Sequence, residues 1–396
     1  LNAPTASVDR RPLAALAAAT ALNVPYGTIY AFSVFLRPME QQLGVSRTEM
    51  SVVFAAATVT LAIGMNLVPV LARRVTGGSL LLLGGALGAL GVSLVTFAEG
   101  FWLLMIGYGL MFGLGGGLTF TALQQGVNQS MPRPSGLANG YVVSLYPVGA
   151  MIGAPIFSFT IPAFGVDVTL WILAATLLSA GLVGAWLFRS AGVVLVSRAV
   201  TSAPERVSLG HPVFLRLFFV FFLAASAGMM VLSQAAGMLH AYGASGALAA
   251  GATTFITGAI AATRLGGGWL VDRIPMRRVA VGANVCALVG AALITWFPSP
   301  LTAALALAML GMGYGLMSGA SAGYLPQIWS RDLFASTAAR LYIAWCAAAL
   351  ALPVLAGWLY DATGGYQTAI LVAACGNLAG AWLARGLPQS SNPAQK

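Results

Sequence analysis

One guanidinium inside an otherwise apolar run has the most chemistry to offer. Arg264 stands in ATRLGGGWLVDR, eight positions before Asp272. At about 1.5 Å per helical residue it lies ~12 Å from the polar end of that run, near the middle of a bilayer core about 30 Å thick. A charge at that depth costs several kcal/mol unless it meets water or a counter-ion. No apolar run of the chain holds a deep Asp or Glu to pair with it. An anionic substrate is then its natural partner, and the planar fork of an arginine suits a carboxylate. Snorkelling, or capture by the carbonyls of a broken helix, is the competing use of Arg264. For Arg340, close to the polar start of its own run, snorkelling or a contact between halves of the chain is the leading use.

Around that cation the sequence offers hydroxyls and aromatic rings. Asn23, Tyr26, Tyr30 and Ser33 follow at spacings of three, four and three, which puts them along one helix face. Tyr108 and Thr119 come from a second run, Tyr141 and Tyr146 from a third, Tyr314 from a fourth, and Tyr342 and Trp345 from a fifth. Phenols and aromatic walls about a cation suit a small organic anion with an apolar body. Helix packing and interfacial anchoring compete for each tyrosine taken singly. Other chemistries find no support. Cys286, Cys346 and Cys375 sit in apolar runs without C-x-x-C or Cys/His spacing, and His211 and His240 have no ligand partners nearby, so neither a metal nor a cofactor is expected. Paired carboxylates and a nucleophile with its base are also missing, which argues against an enzyme.

The elements that must position these groups are membrane helices. Of 396 residues, 59% are hydrophobic and 7% charged, and mean hydropathy is +0.88. An ordinary soluble domain carries about 25% charge. Twelve apolar runs of spanning length lie near 13–36, 49–72, 80–98, 101–126, 137–162, 169–188, 213–239, 247–270, 279–297, 301–328, 336–359 and 367–386. The first run contains Asn23, Pro25 and Tyr26 and has no small-residue cleavage site, so it reads as a helix and not a signal peptide. Fifteen Lys and Arg fall in segments on one side of the membrane and two, Arg37 and Arg47, on the other. Positive loops resist translocation, so both termini are expected in the cytoplasm, and a bacterial inner membrane is the expected location. The net charge of +10 is scattered over short loops and forms no face for nucleic acid. A polar stretch over 189–212 separates two groups of six runs, giving an N-terminal bundle at 1–188, a cytoplasmic linker, and a C-terminal bundle at 213–396. A monomer is expected.

The halves repeat each other, as in folds built by duplication. GYGLMFG at Gly107–Gly113 recurs as GYGLMSG at Gly313–Gly319, LARR at Leu71–Arg74 aligns with LVDR at Leu270–Arg273, and Tyr141 pairs with Tyr342. GGGWLVDRIPMRR, Gly266–Arg278, resembles the loop motif of the major facilitator superfamily, G-x-L-a-D-R-x-x-R-R. In the first-half copy Arg73 stands where the Asp would be. The resemblance implies an all-α membrane protein of twelve transmembrane helices in two pseudo-symmetric bundles. It also implies a breakable latch in which Asp272, with Arg273, Arg277 and Arg278, contacts helix N-termini or arginines of the other half. GAMIGAP at Gly149–Pro155 loosely resembles the superfamily's antiporter signature and could serve as a hinge.

Within that superfamily the chain resembles the monocarboxylate transporters and oxalate:formate antiporters, in GTIYAFSVFLRPMEQQLGVSRTEMS (27–51), ATRLGGGWLVDR (262–273) and LYIAWCAAALALPVLAGWLYDATGGY (341–366). The resemblance gives Arg264 the role of binding the substrate carboxylate. It departs from the antiporters at Trp345, where they carry a lysine, and from many animal members at Ile260, where they carry an aspartate. The implied function is secondary transport of a small organic anion, foremost a monocarboxylate, by alternating access, with a proton or a counter-substrate as coupling partner. Carboxylate exchange of the oxalate:formate type, export of an amphipathic organic compound, and a non-transporting membrane sensor are the alternatives.

Overall fold

The computed structural model describes residues 10–45, 47–131, 136–195, 210–329 and 333–388. Helix α1 (Arg11–Gly27) passes into a 3-10 segment, Thr28–Val34. A short α2 (Leu36–Leu43), the long α3 (Arg47–Leu71) and α4 (Gly77–Val95), and a single turn, α5 (Phe101–Leu104), follow. A π-helical stretch, Met105–Phe112, joins α5 to α6 (Gly113–Ser130). Then come α7 (Gly136–Ala191), α8 (Pro212–Ala241), α9 (Gly246–Val271), α10 (Met276–Trp296), α11 (Pro300–Ile328), α12 (Phe334–Thr363) and α13 (Gln367–Ala384). No strand occurs among the described residues.

Local sequence explains the helix ends. Thr76 and Ser245 cap α4 and α9 by accepting backbone N–H bonds from Ser79 and Leu248, and Ser299 forms a capping box with Thr302 at α11. Proline occupies the first turn of α1, α8 and α11, where its missing N–H costs nothing. The fifth and sixth runs are two helices, as expected, numbered together as α7 because they abut without a loop at Gly165, whose non-helical φ of 86° and ψ of 168° suit only glycine. Counting its two arms separately, and α1 with α2 and α5 with α6 as one each, gives twelve rods.

Large apolar side chains point outward all round the molecule, among them Phe159, Phe164, Phe255 and Leu378, while Asn23, Gln124, Asn128, Asn139 and Arg264 are buried. This inverts the soluble pattern and matches a lipid solvent. Trp102, Trp296 and Trp358 are exposed toward one end of the rods, and Trp186 and Trp382 toward the other, as interfacial belts. Nine helices of the described residues are long and apolar enough to cross a membrane, the two-armed α7 counted once. The chain is a multi-pass integral membrane protein.

In the first half α7 packs on α1 and α4, and α6 on α3; in the second α11 packs on α9 and α10, and α8 on α12. The halves meet where α7 lies on α9 and α11, and where α3 lies on α12. Most of the expected linker, 196–209, lies outside the described residues. Before it, Leu195 tucks under the first half, where its carbonyl accepts from Gln125 Nε2 at 2.9 Å. The repeat is closer in letters than in shape: GYGLMFG falls largely in the π-helical stretch, GYGLMSG in regular α11.

Candidate functional site

Arg264 is 3% exposed, on α9 where the halves meet. Its Nη1 donates to the carbonyl of Val143 on α7 at 2.8 Å, and Nη2 donates to the Tyr314 hydroxyl on α11 at 2.5 Å. Tyr314 and Tyr30 present their rings to the guanidinium at 4.9 and 5.9 Å from the centroids. Nε has no partner. Neutral partners of this kind contribute about 0.5–3 kcal/mol each and leave the charge itself uncompensated. The chamber around it therefore carries a positive charge.

That chamber is lined by Tyr30, Tyr146, Tyr314, Tyr342 and Trp345 among the expected residues. Tyr30 sits edge-on to Tyr146 and Trp345, with centroids 6.2 and 6.5 Å apart, and Phe120 sits edge-on to Tyr146 and Tyr342. Its volume is about 20 Å³. That admits roughly one water.

Four candidates lie elsewhere. Tyr26 donates to the Gly84 carbonyl at 2.6 Å and packs on Phe112 inside the first bundle. Asn23 donates to the carbonyl of Val142, and the Tyr141 hydroxyl pairs with Thr20 at 2.7 Å. Tyr108 is stacked between Phe32 and Phe112. The shared face read from spacing assumes one continuous α-helix through residue 33. The 3-10 segment from Thr28 instead advances about 120° per residue, so Tyr30 turns to the centre while Tyr26 stays in its bundle.

Residues that the sequence reading passed over complete the chamber: Leu61, Met65, Phe120, Val143 and Ser318. A signal was present for Met65, because the repeat shift of 199 residues maps Arg264 onto it (264 − 199 = 65). The site is thus cationic from one half only.

Toward the end of the rods nearest Asp272, the halves are in backbone contact. Asp272 Oδ1 accepts from the N–H of Gly136 at 2.7 Å and Oδ2 from that of Leu137 at 2.9 Å, at the N-terminus of α7. A carboxylate there also meets the positive end of the helix dipole. Gly268 lies against Gly136 and Gly140, and a Cβ on it would approach the Gly140 Cα to 2.7 Å. Arg273 folds back on its own helix, donating to the Trp269 carbonyl and lying 4.0 Å over its ring, and Arg277 and Arg278 are exposed. Of the four expected latch residues, only Asp272 is shown bonding to the other half.

Toward the opposite end the halves part. A vestibule of about 400 Å³ opens there between the 3-10 segment, α3, α8 and α12, and Tyr30 lines both it and the arginine chamber.

A family model described as Major Facilitator Superfamily matches residues 16–339 and 217–396. Monocarboxylate transporter 11 of Mus musculus is 26% identical over 404 residues, covering 94% of this chain and 87% of that protein. The uncharacterized MFS-type transporter YhjX of Escherichia coli (strain K12) is 24% identical over 295 residues, 73% of each chain. Among solved structures, the proton:xylose symporter XylE bound to 6-bromo-6-deoxy-D-glucose superposes with a TM-score of 0.73 at 12% identity over 96% of both chains. FucP in its outward conformation gives 0.67 at 16% identity, covering 95% of this chain and 99% of that one.

Proposed function

This chain belongs to the major facilitator superfamily, and we propose that it moves a small organic anion, a monocarboxylate foremost, by alternating access, with Arg264 binding the carboxylate. It is a membrane transporter and not an enzyme. The observation that carries the substrate reading is the guanidinium of Arg264, buried at the junction of the halves, with no carboxylate of the described residues facing it and with Nε unpartnered among them. The name of the murine relative, monocarboxylate transporter 11, supports the same reading. Tyr30, Tyr146, Tyr314, Tyr342 and Trp345 form the aromatic wall of the site in this proposal, and Asp272 is the latch of the closed face. With the Lys/Arg-rich segments inside, that closed face is cytoplasmic, and the conformer is open to the outside.

Trp345 tests the correspondence in α12. Trp345→Lys would add a second cation to the chamber wall, and is expected to raise the affinity for oxalate relative to acetate. An unchanged ratio in competition binding would show that this position does not face the substrate.

Exchange is the favoured mode of coupling. The acidic side chains described, Glu40, Glu49, Glu99, Asp167 and Asp272, all lie at or beyond helix ends, and none faces Arg264. An arginine holds its proton, so an empty carrier must take an unpaired charge through a closing, dry chamber, whereas a carrier loaded with a monoanion is neutral there. Proteoliposomes preloaded with unlabelled substrate are expected to take up labelled substrate much faster than empty ones, with little response to a pH gradient. Gradient-driven accumulation into empty vesicles would overturn this and turn attention to His240, exposed at the end of α8 with Nδ1 3.0 Å from the Ala244 carbonyl.

A further inference from the structure

We propose that the outer vestibule is a tail subsite, so that the preferred substrate is a monocarboxylate with an extended apolar tail, of roughly six to ten carbons or an aryl equivalent. This rests on the reading of Arg264 as the carboxylate site. The vestibule, about 400 Å³, is some twenty times larger than the chamber at the arginine, about 20 Å³, and Tyr30 is common to both. Phe32, Phe54, Met229, Leu232, Leu350 and Val354 supply its apolar wall, and no charged side chain among the described residues lines it.

Its polar side chains are few, and three of them bond within the protein. The Thr58 hydroxyl donates to the Phe54 carbonyl, the Ser233 hydroxyl donates to that of Met230, and Gln234 Oε1 accepts from Tyr366. A second carboxylate or a row of sugar hydroxyls would find little to bind, whereas a hydrocarbon would replace water along the wall.

Length follows from helix rise. On α12 the chamber is at the level of Tyr342 and Trp345 and the vestibule at Ala349–Gly357. At about 1.5 Å per residue the vestibule begins ~6 Å beyond Trp345 and reaches ~18 Å. An extended chain covers about 1.2 Å per bond, so a tail needs about five bonds to enter the vestibule. Acetate or lactate bound at Arg264 stays short of it.

The test is inhibition of radiolabelled butyrate binding to the purified, detergent-solubilised full chain by unlabelled acetate, butyrate, hexanoate and octanoate, with octanedioate and octanol as controls. Beyond butyrate the affinity is expected to rise about two- to fourfold per methylene buried, with octanedioate and octanol both weaker than octanoate. Ala55→Phe, which fills the vestibule from α3, should flatten the octanoate-to-acetate ratio, and Ala349→Leu, from α12, should do the same more mildly. A flat series in the wild type, a slope unchanged in both variants, or octanol matching octanoate would each overturn the tail subsite. Failure of every carboxylate, short or long, to compete would instead sink the assignment of Arg264 itself.

Discussion

Replacing Arg264 by alanine is expected to abolish anion binding, by two to three orders of magnitude in affinity. Removing one partner of a buried, hydrogen-bonded ion pair costs about 3–5 kcal/mol, because the other charge is left without compensation in a low-dielectric site. Arg264→Lys should recover only part of this. An ammonium supplies the charge but not the fork that grips both carboxylate oxygens, and it lacks the planar face that lies against Tyr314. Titration of both variants with a monocarboxylate, read by thermal stabilisation, is the measurement. Wild-type affinity in the alanine variant would remove Arg264 from the site.

Asp272→Asn is expected to open the closed face. The carboxylate holds two backbone N–H groups at the start of α7, and hydrogen bonds to a charged acceptor contribute about 1.5–3 kcal/mol. Losing most of one such contribution shifts a two-state equilibrium by a factor of about 10 to 100. Buried polar groups on the closed side favour the same movement, since Gln124 Oε1 and Ser321 Oγ have no partner among the described residues and would gain one from water. Ser321 lies one turn from Ser318 of the chamber, toward the latch, and so reports on that route. With Cys286, Cys346 and Cys375 replaced by serine and Ser321→Cys introduced, maleimide labelling should be at least about tenfold faster when Asp272→Asn is added. Gly268→Val should act in the same direction, because its side chain would collide with the Gly136 carbonyl. Equal labelling rates in both variants would show that the Asp272 contact does not hold the face shut.

The sequence by itself determined the environment of the chain and the identity of its one deep charge. Hydropathy and charge are local properties, so twelve apolar runs, the basic bias of alternate loops and Arg264 in the eighth run can be read without knowing what touches what. The helix-end signals were equally local, as at Thr76, Ser245 and Ser299. The tertiary structure decided which aromatic residues meet the arginine, because side-chain direction depends on helical phase, and phase changes where α1 tightens at Thr28. Tyr30 and Tyr26 are four letters apart, yet one faces Arg264 and the other the Gly84 carbonyl. Tyr108 and Tyr314 occupy the same repeat letter, but only Tyr314 has an arginine opposite it, since the corresponding position on α3 is Met65. Which end of the rods is shut was also beyond local reading. It depends on Gly136, Gly140 and Gly268 letting backbones more than a hundred residues apart touch, and the vestibule is the space left where the other ends of the same helices diverge.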